Sequence, residues 1–522
     1  MFCDAAGRNA MQEIDQYAIE KLGIPSMVLM ERAALALSKA VMELAAAKDR
    51  VLCICGMGNN GGDGIAVSRI LRENGMETSV LMIGASEKQS KQCRQQMNIA
   101  RKLSIPVQFF SSDGIYGKEK ENILNRILAG EYTIIVDAIF GIGLHRPVEG
   151  EFKECIEAVN ASGAKVVAAD IPSGIDAEDG QVLGCAIKAD ITVTFGLMKQ
   201  GLLMAPGYPY AGEVRVEPIG FPRQAVERIH PFMQYYQKEK MPIKKQMEGL
   251  LPERSEESNK GTYGRVLVIA GSPGMAGAAL LCAKAAGRMG CGLVRIFSEE
   301  GNRSVLQSGF PEAIFTSYTM EEEEKEVRAR LDEAISWASS VVIGPGLSKS
   351  QRAKEILFTV LEKGKDIPLV VDADAINLLA ENKALLSGDQ TGANIVLTPH
   401  LLEMSRLSGC SLEDIRKYRM QMLQKIPFPK GVLVLKDART MVFSENRCFI
   451  NTHGSNGMAT GGSGDVLSGM LAGILAYDKR SFYESAVSAV VLHAMFGELA
   501  AEKWTPHGML AGDLVEVMGE RK

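Results

Sequence analysis

Aromatic residues are scarce in this chain, 6% of its 522 residues with only two tryptophans, which leaves no stacking platform for nucleic-acid bases. An excess of basic residues is also missing. Lys and Arg total 58 against 63 Asp and Glu, a net charge of −5, which excludes a nucleic-acid surface as the main function. Six histidines and ten cysteines never cluster at zinc-ligand spacing. The cysteines follow no pairing rhythm, and Cys53 and Cys55 fall in an apolar run, so reduced, buried thiols are expected rather than a disulfide scaffold. The opening MFCDAAGRNAM lacks a basic region followed by an apolar one, and no apolar run is read as approaching the ~20 residues of a membrane span. These absences predict a cytoplasmic protein with neither a membrane nor a nucleic acid as partner.

At 46% hydrophobic and 23% charged, the composition is globular, and the length exceeds what one ordinary core accommodates. A proline-bearing stretch over 220–262, with the polar run Pro252 to Lys260, marks a boundary. The expected domains are 1–225 and 226–522. Both alternate short apolar strands with helical patterns, the rhythm of doubly wound α/β domains whose ligand crevice lies at the carboxyl ends of the strands.

In the first half, residues 10–48 have helical spacing broken at Pro25, and strand Val51–Cys55 runs into Gly56-Met57-Gly58-Asn59-Asn60-Gly61-Gly62-Asp63-Gly64. That stretch is read as a turn, with a helix from Ile65 to Glu73. Two amides and a carboxylate on a glycine turn suit either an Asx-rich cap or a ligand loop. Two further strands end on Asp137 and on Asp170-Ile171-Pro172-Ser173. In a parallel sheet these ends share one edge, so Asn60, Asp63, Asp137, Asp170 and Ser173 are expected to converge. Oxygen donors without Cys or His suit a hard cation, monovalent K⁺ as well as Mg²⁺.

In the second half, strands lead into Gly344-Pro345-Gly346, Asp372-Ala373-Asp374, Thr398-Pro399-His400 and Lys436-Asp437-Ala438-Arg439-Thr440. The chain then reaches Asn456 to Asp465, where four glycines precede a helical apolar pattern. A loop feeding a helix N-terminus favours phosphate, and the Asp465 carboxylate beside it can take a proton from an attacking hydroxyl. Neutral His400 on the same edge could hydrogen-bond a substrate. His493, inside an apolar helical pattern, is read as a packed core histidine. The acidic segment Glu321–Arg330 is read as a solvated face.

These motifs, in order, resemble those of the bifunctional NAD(P)H-hydrate repair enzyme family. The first half is similar to its epimerase domain through Asn59–Gly64, Val136–Leu144 and Asp170–Asp176. The second is similar to its ribokinase-like dehydratase domain through Lys260–Gly264, Ile343–Leu347, Asp372–Ala375, Leu397–His400 and Gly461–Asp465. The resemblance implies a Rossmann-like three-layer αβα domain followed by a ribokinase-like αβα domain.

The resemblance further implies that Asn60, Asp137 and Ser173 hold K⁺. It implies that Asn59, Asn60, Gly61, Gly62, Asp63, Gly141, Ile142, Gly143, Leu144, His145, Arg146, Pro147 and Asp170 contact the hydrated nucleotide. Asp170 is the candidate for epimerisation. In the dehydratase half, Ala278, Gly346, His400 and Asp465 would contact the hydrate, with Asp465 the proton-abstracting group. Lys436, Asp437, Ala438, Arg439, Thr440 and Gly464 would contact ADP, with Mg²⁺ on its phosphates. The substrates implied are NADHX, NADPHX and ADP, and such domains are often homo-oligomers. Leu401-Leu402-Glu403 after His400 departs from the family's usual Pro-Gly-Glu, and Lys436–Thr440 is more polar than its usual small-residue form. The competing readings are a small-molecule kinase of the ribokinase-like class and a non-catalytic ligand-binding first domain.

Overall fold

A computed structural model describes all residues except 47, 111–116, 230, 240, 383–384, 386–393, 426–430, 446 and 521–522. The chain forms two compact units, Asp4–Met233, and Gln234–Lys522 together with Met1–Cys3.

The first unit is built on seven parallel strands. Their order is Val107–Phe110, Glu77–Ile83, Arg50–Cys55, Ile134–Ala138, Lys165–Ala169, Ile191–Phe195 and Glu213–Glu217. Cys53, Val80, Ile135, Val136 and Val167 are fully buried, as strands covered by helices on both faces must be. One layer includes the helices Ser26–Leu44 and Asn59–Glu73, whose Leu37, Val41, Val67 and Leu71 share a core with Cys53 and Val136. The other includes Gly150–Ala161, packing Cys155 and Ile156 against Leu52 and Ile135. The strand order reverses between Arg50–Cys55 and Ile134–Ala138, a switch point where an open α/β sheet binds its ligand.

The Asn59–Gly64 motif is not a turn. It forms the first turns of the helix Asn59–Glu73, six residues earlier than the sequence pattern indicated. The glycines serve close packing instead. A Cβ on Gly61 would lie 1.8 Å from the Gly56 carbonyl oxygen, and one on Gly64 would lie 2.5 Å from Ala138 Cβ and 2.7 Å from Cys55 Sγ. Glycine's weak helix propensity is outweighed by this approach of helix to strand.

In the second unit, the order is Ile314–Tyr318, Leu293–Glu299, Arg265–Ile269, Ser340–Ile343, Leu369–Val371, Ile395–Leu397 and Val432–Leu435, all parallel, then antiparallel Met441–Ser444 and Arg447–Ile450. The strand order reverses between Arg265–Ile269 and Ser340–Ile343. Helices Ala276–Arg288, Ser463–Leu475 and Phe482–Gly508 share the core of one layer, and Gly469 is needed because a Cβ there would lie 2.1 Å from the Cys282 carbonyl oxygen. The helix Phe482–Gly508 corrects the expectation on apolar runs: by length and composition it could cross a membrane, yet 78% of its apolar window is buried within the fold. All ten cysteines are free thiols.

Candidate active sites

In the first unit, the strand ends at the switch point open onto a cavity of about 790 Å³. Its wall carries Asn59, Asn60, the turn Gly141-Ile142-Gly143-Leu144-His145-Arg146, and Asp170. Gly61, Gly62, Asp63 and Pro147 do not line it. The first two are buried against Gly56 and Met30, the close approach their missing side chains permit.

Beneath this wall is a fixed set of oxygens. Asp137, 1% exposed, accepts from Ser173 Oγ at 2.6 Å, Ser173 N at 2.7 Å and Ile139 N at 3.3 Å. Burial raises its carboxyl to about 6, although those hydrogen bonds oppose the shift. Asn60 approaches Gly141 closely, since a Cβ on that glycine would stand 3.3 Å from Asn60 Cγ. The Asn60 side-chain nitrogen is buried with no hydrogen-bond partner, so one end of this amide is orphaned on the cavity floor.

Asp170 holds a left-handed backbone, φ 67°, at the end of its strand. Its Oδ1 accepts from Phe195 N at 3.0 Å and forms an ion pair with Lys199 Nζ at 2.6 Å. Lys199 is 1% exposed, and burial lowers its ammonium even with Asp170 beside it. Asp63 is pushed well above the carboxylate range by burial, then by the Asp170 and Asp15 carboxylates. The sequence reading missed Lys199, Gln12 and Asp15. Lys199 had a usable signal, being a charge directly after the apolar run Gly196-Leu197-Met198.

In the second unit, the switch point brings Ala278 and Gly346 together. Gly346 has φ 58°, and a Cβ on it would stand 3.1 Å from Ala278 Cβ. Ser272 N donates to the Gly346 carbonyl at 2.6 Å, joining the two strand ends.

The next strand ends gather the charges. Lys436 Nζ binds Asp372 Oδ1 at 2.6 Å. Burial alone would lower Lys436, but Asp372, Glu403 and Asp465 outweigh it and raise the ammonium. Asp465 lies in the first turn of Ser463–Leu475. Burial and Asp372 raise it to about 6, with Lys436 opposing. A Cβ on Gly464 would stand 3.2 Å from Lys436 Nζ, so glycine here leaves room for that ammonium at the helix start. Gly462 precedes it with φ 93°.

His400 caps the helix Leu401–Ser408. Its Nδ1 accepts from Leu402 N at 3.1 Å and Glu403 N at 3.2 Å, while Glu403 Oε2 accepts from His400 N at 2.8 Å. An accepting Nδ1 fixes a neutral ring whose proton is on Nε2, and burial followed by Lys436 lowers its basicity. Glu403 is 4% exposed, and burial raises its carboxyl to about 7. The Leu401-Leu402 departure leaves this reciprocal cap intact because it uses only their backbone.

Asp437, Ala438, Arg439 and Thr440 form the turn between Val432–Leu435 and Met441–Ser444. Arg419 holds Asp437 at 2.7 Å, and Thr440 Oγ1 donates to the Asp437 carbonyl at 3.1 Å. His493 is buried and lowered to about 4 by desolvation. It is a core residue, but its Nε2 lies 3.0 Å from the Ser463 carbonyl oxygen and thus supports the phosphate-type loop from behind. Asp372 and Glu403 had no assigned role in the sequence reading, though both stand in its motifs.

Two family descriptions match the chain: YjeF-related protein N-terminus over residues 26–201, and NAD(P)H-hydrate dehydratase over 266–519. A bifunctional NAD(P)H-hydrate repair enzyme of Coxiella burnetii is 34% identical over 97% of this chain and 96% of its own. One from Thermofilum pendens is 33% identical over 97% and 93%. An ADP/ATP-dependent NAD(P)H-hydrate dehydratase of Bacillus subtilis, solved with ATP and Mg²⁺, is 30% identical, covers 53% of this chain and 95% of its own, and superposes with a TM-score of 0.45.

Proposed function

The chain belongs to the bifunctional NAD(P)H-hydrate repair enzyme family, and from that premise we propose that it restores hydrated nicotinamide nucleotides in the cytoplasm. The first unit interconverts the R and S forms of NADHX and NADPHX. The second dehydrates the S form, converting ADP to AMP and phosphate. We assign the boundary between the two activities to the segment following residue 225.

One observation supports the dehydratase reading most directly. Asp465, at the start of a helix behind a glycine loop, keeps a carboxyl raised to about 6 beside the Lys436–Asp372 pair. A base with that value is ionised at neutral pH yet strong enough to take a hydroxyl proton. The substrate's C6 hydroxyl loses its proton to Asp465 as its oxygen attacks the terminal phosphoryl of ADP. AMP departs, and elimination of phosphate then restores the nicotinamide. Lys436 and the amides of Gly461–Gly464 meet the charge on the transferred group. Gly346 and Ala278 give the substrate close access, His400 offers its Nε2 proton, and the Asp437–Thr440 turn receives the nucleotide. Among the described residues no group of three or more acidic, His or Cys side chains could hold a metal. Mg²⁺ carried on the ADP phosphates would neutralise their charge.

In the first unit, Asn60, Asp137 and Ser173 fit K⁺. All three offer hard oxygens: the Asn60 amide oxygen, the Asp137 carboxylate and the Ser173 hydroxyl that it holds. Potassium there would add positive charge at the cavity floor. Asp170, paired with Lys199, is positioned to move a proton at the reacting carbon's substituent.

The deciding experiment supplies S-hydrate with ADP or ATP and follows reduced-nicotinamide absorbance and free phosphate. Recovery of both supports dehydration. A stable phosphorylated product would instead establish a small-molecule kinase.

A further inference from the structure

We propose that the N-terminal helix Arg8–Gln16, which precedes the residues matched by the family description, is a working wall of the first site: Asp15 and Gln12 contact the hydrated nucleotide, and Arg8 sets the shape of the turn that receives it. This rests on the epimerase reading of that site.

The helix carries Arg8, Gln12 and Asp15 at i, i+4 and i+7, within about 60° of arc. The face flanking this stripe, Met11 and Ile14, is buried in a small cluster with Ala6 and Ala225, against which Leu197 and Ile142 pack. That packing fixes the helix beside the cavity turn, and the cavity wall includes Gln12 and Asp15 together with Asp170. Just before the helix, Ala5 and Ala6 pair with Met198 and Lys199, tying its origin to the strand that bears Asp170's partner.

Neither Gln12 nor Asp15 makes a hydrogen bond to another described residue, so a carboxamide and a carboxyl three positions apart present free polar groups to the cavity. Asp15 is also poorly placed for a purely structural acid, since burial and Asp170 both raise its carboxyl. Arg8 is fully engaged, by contrast. Its Nε donates to the Ile142 carbonyl at 2.9 Å and its Nη2 to that of Leu144 at 2.8 Å, and it pairs with Asp176. A forked guanidinium is needed to hold two carbonyls and a carboxylate together. After Gln16 the helix continues as a π-turn, Tyr17–Lys21, an irregularity frequent at functional sites.

In the reaction, the Asp15 carboxyl passes a proton to the departing C6 hydroxyl, which leaves as water. The C6–O bond breaks and the ring nitrogen lone pair compensates the carbon. Water then adds to the other face and returns a proton to a site carboxylate, so no oxidant or reductant is required.

The test uses the full-length chain, because the second unit's dehydration of S-hydrate with ADP serves as an internal control. Asp15→Asn, an isostere of the protonated acid, should slow R-to-S interconversion by ~100-fold with KM little changed. Gln12→Ala, at an exposed position that folding does not need, should raise the KM for R-hydrate several-fold and leave kcat. Arg8→Lys should likewise raise KM. Dehydration of S-hydrate should stay at the wild-type rate in all three. Wild-type kinetics for R-hydrate in both Q12A and D15N would overturn the proposal. If the unmodified chain cannot consume R-hydrate at all, the epimerase reading itself fails instead.

Discussion

Lys436 Nζ lies 2.6 Å from Asp372 Oδ1, and a side chain on Gly464 would stand 3.2 Å from that same nitrogen. One half-buried cation thus links a strand-end carboxylate to the start of the helix that carries Asp465. Lys436→Met leaves Asp372, 1% exposed, without its partner, and the expected destabilisation is about 3–5 kcal/mol by chemical denaturation of the second unit. Adding Asp372→Asn should recover stability without recovering dehydration, because the charge opposite the phosphoryl group is still missing.

The pH dependence of dehydration follows from Asp465, raised to about 6 by burial and Asp372. The base acts when ionised, so kcat/KM should fall about tenfold per pH unit below about 6 and level off above it. An unchanged rate down to pH 5 would contradict this.

Glu403 provides a separate stability test. Its folded carboxyl, raised to about 7 by burial, lies above the ordinary value of 4.5, so the native state holds the proton more tightly than the unfolded chain. The stabilisation this proton gives is complete below about 4.5 and is lost as pH rises through about 7. Glu403→Gln, which keeps an oxygen acceptor for His400 N, should therefore gain melting temperature relative to wild type between pH 5 and 8.

Two glycines should respond differently to alanine. In Gly61→Ala the new carbon meets the Gly56 carbonyl at 1.8 Å, backbone that cannot move aside, so R-hydrate consumption should be lost while S-hydrate dehydration persists. In Gly464→Ala the neighbour is the flexible end of Lys436, so the fold should survive and dehydration should drop.

The sequence pattern located the strands well. Val51–Cys55, Lys165–Ala169, Ile191–Phe195, Leu369–Val371 and Ile395–Leu397 all fall within one residue of the observed strands, because doubly covered parallel strands are continuous apolar runs. The order of strand ends then placed Asn60 and Asp170 on one cavity wall, with Asp137 bonded to Ser173, and brought Lys436 close to Asp465. The helix start at Asn59 was hidden because local glycine content signals a turn, whereas those glycines serve close contacts, one with Gly56 just before the helix and one with Ala138 on the neighbouring strand, which only the folded chain shows. Asp15 was unreadable as a site group for a similar reason, and Lys199, though marked by the apolar run before it, could not be paired: Asp170 is 155 and 29 positions away, and nothing in a single sequence joins them. The tautomer of His400 depends on helix geometry that Thr-Pro-His alone does not specify.

Replacing Lys199 by Met tests the first site. The Asp170 carboxylate would lose its 2.6 Å partner, and R-hydrate interconversion should fall by ~100-fold or more while S-hydrate is dehydrated normally. Loss of the first unit's cooperative unfolding transition in this variant would mean that Lys199 matters only to folding.

The most direct measurement is the single-turnover rate of Asp465→Asn on S-hydrate with saturating ADP, alongside equilibrium binding of ADP. The predicted result is ADP affinity close to wild type and recovery of reduced nicotinamide slowed by ~100-fold or more. Dehydration at the wild-type rate in this variant would contradict Asp465 as the group that takes the hydroxyl proton.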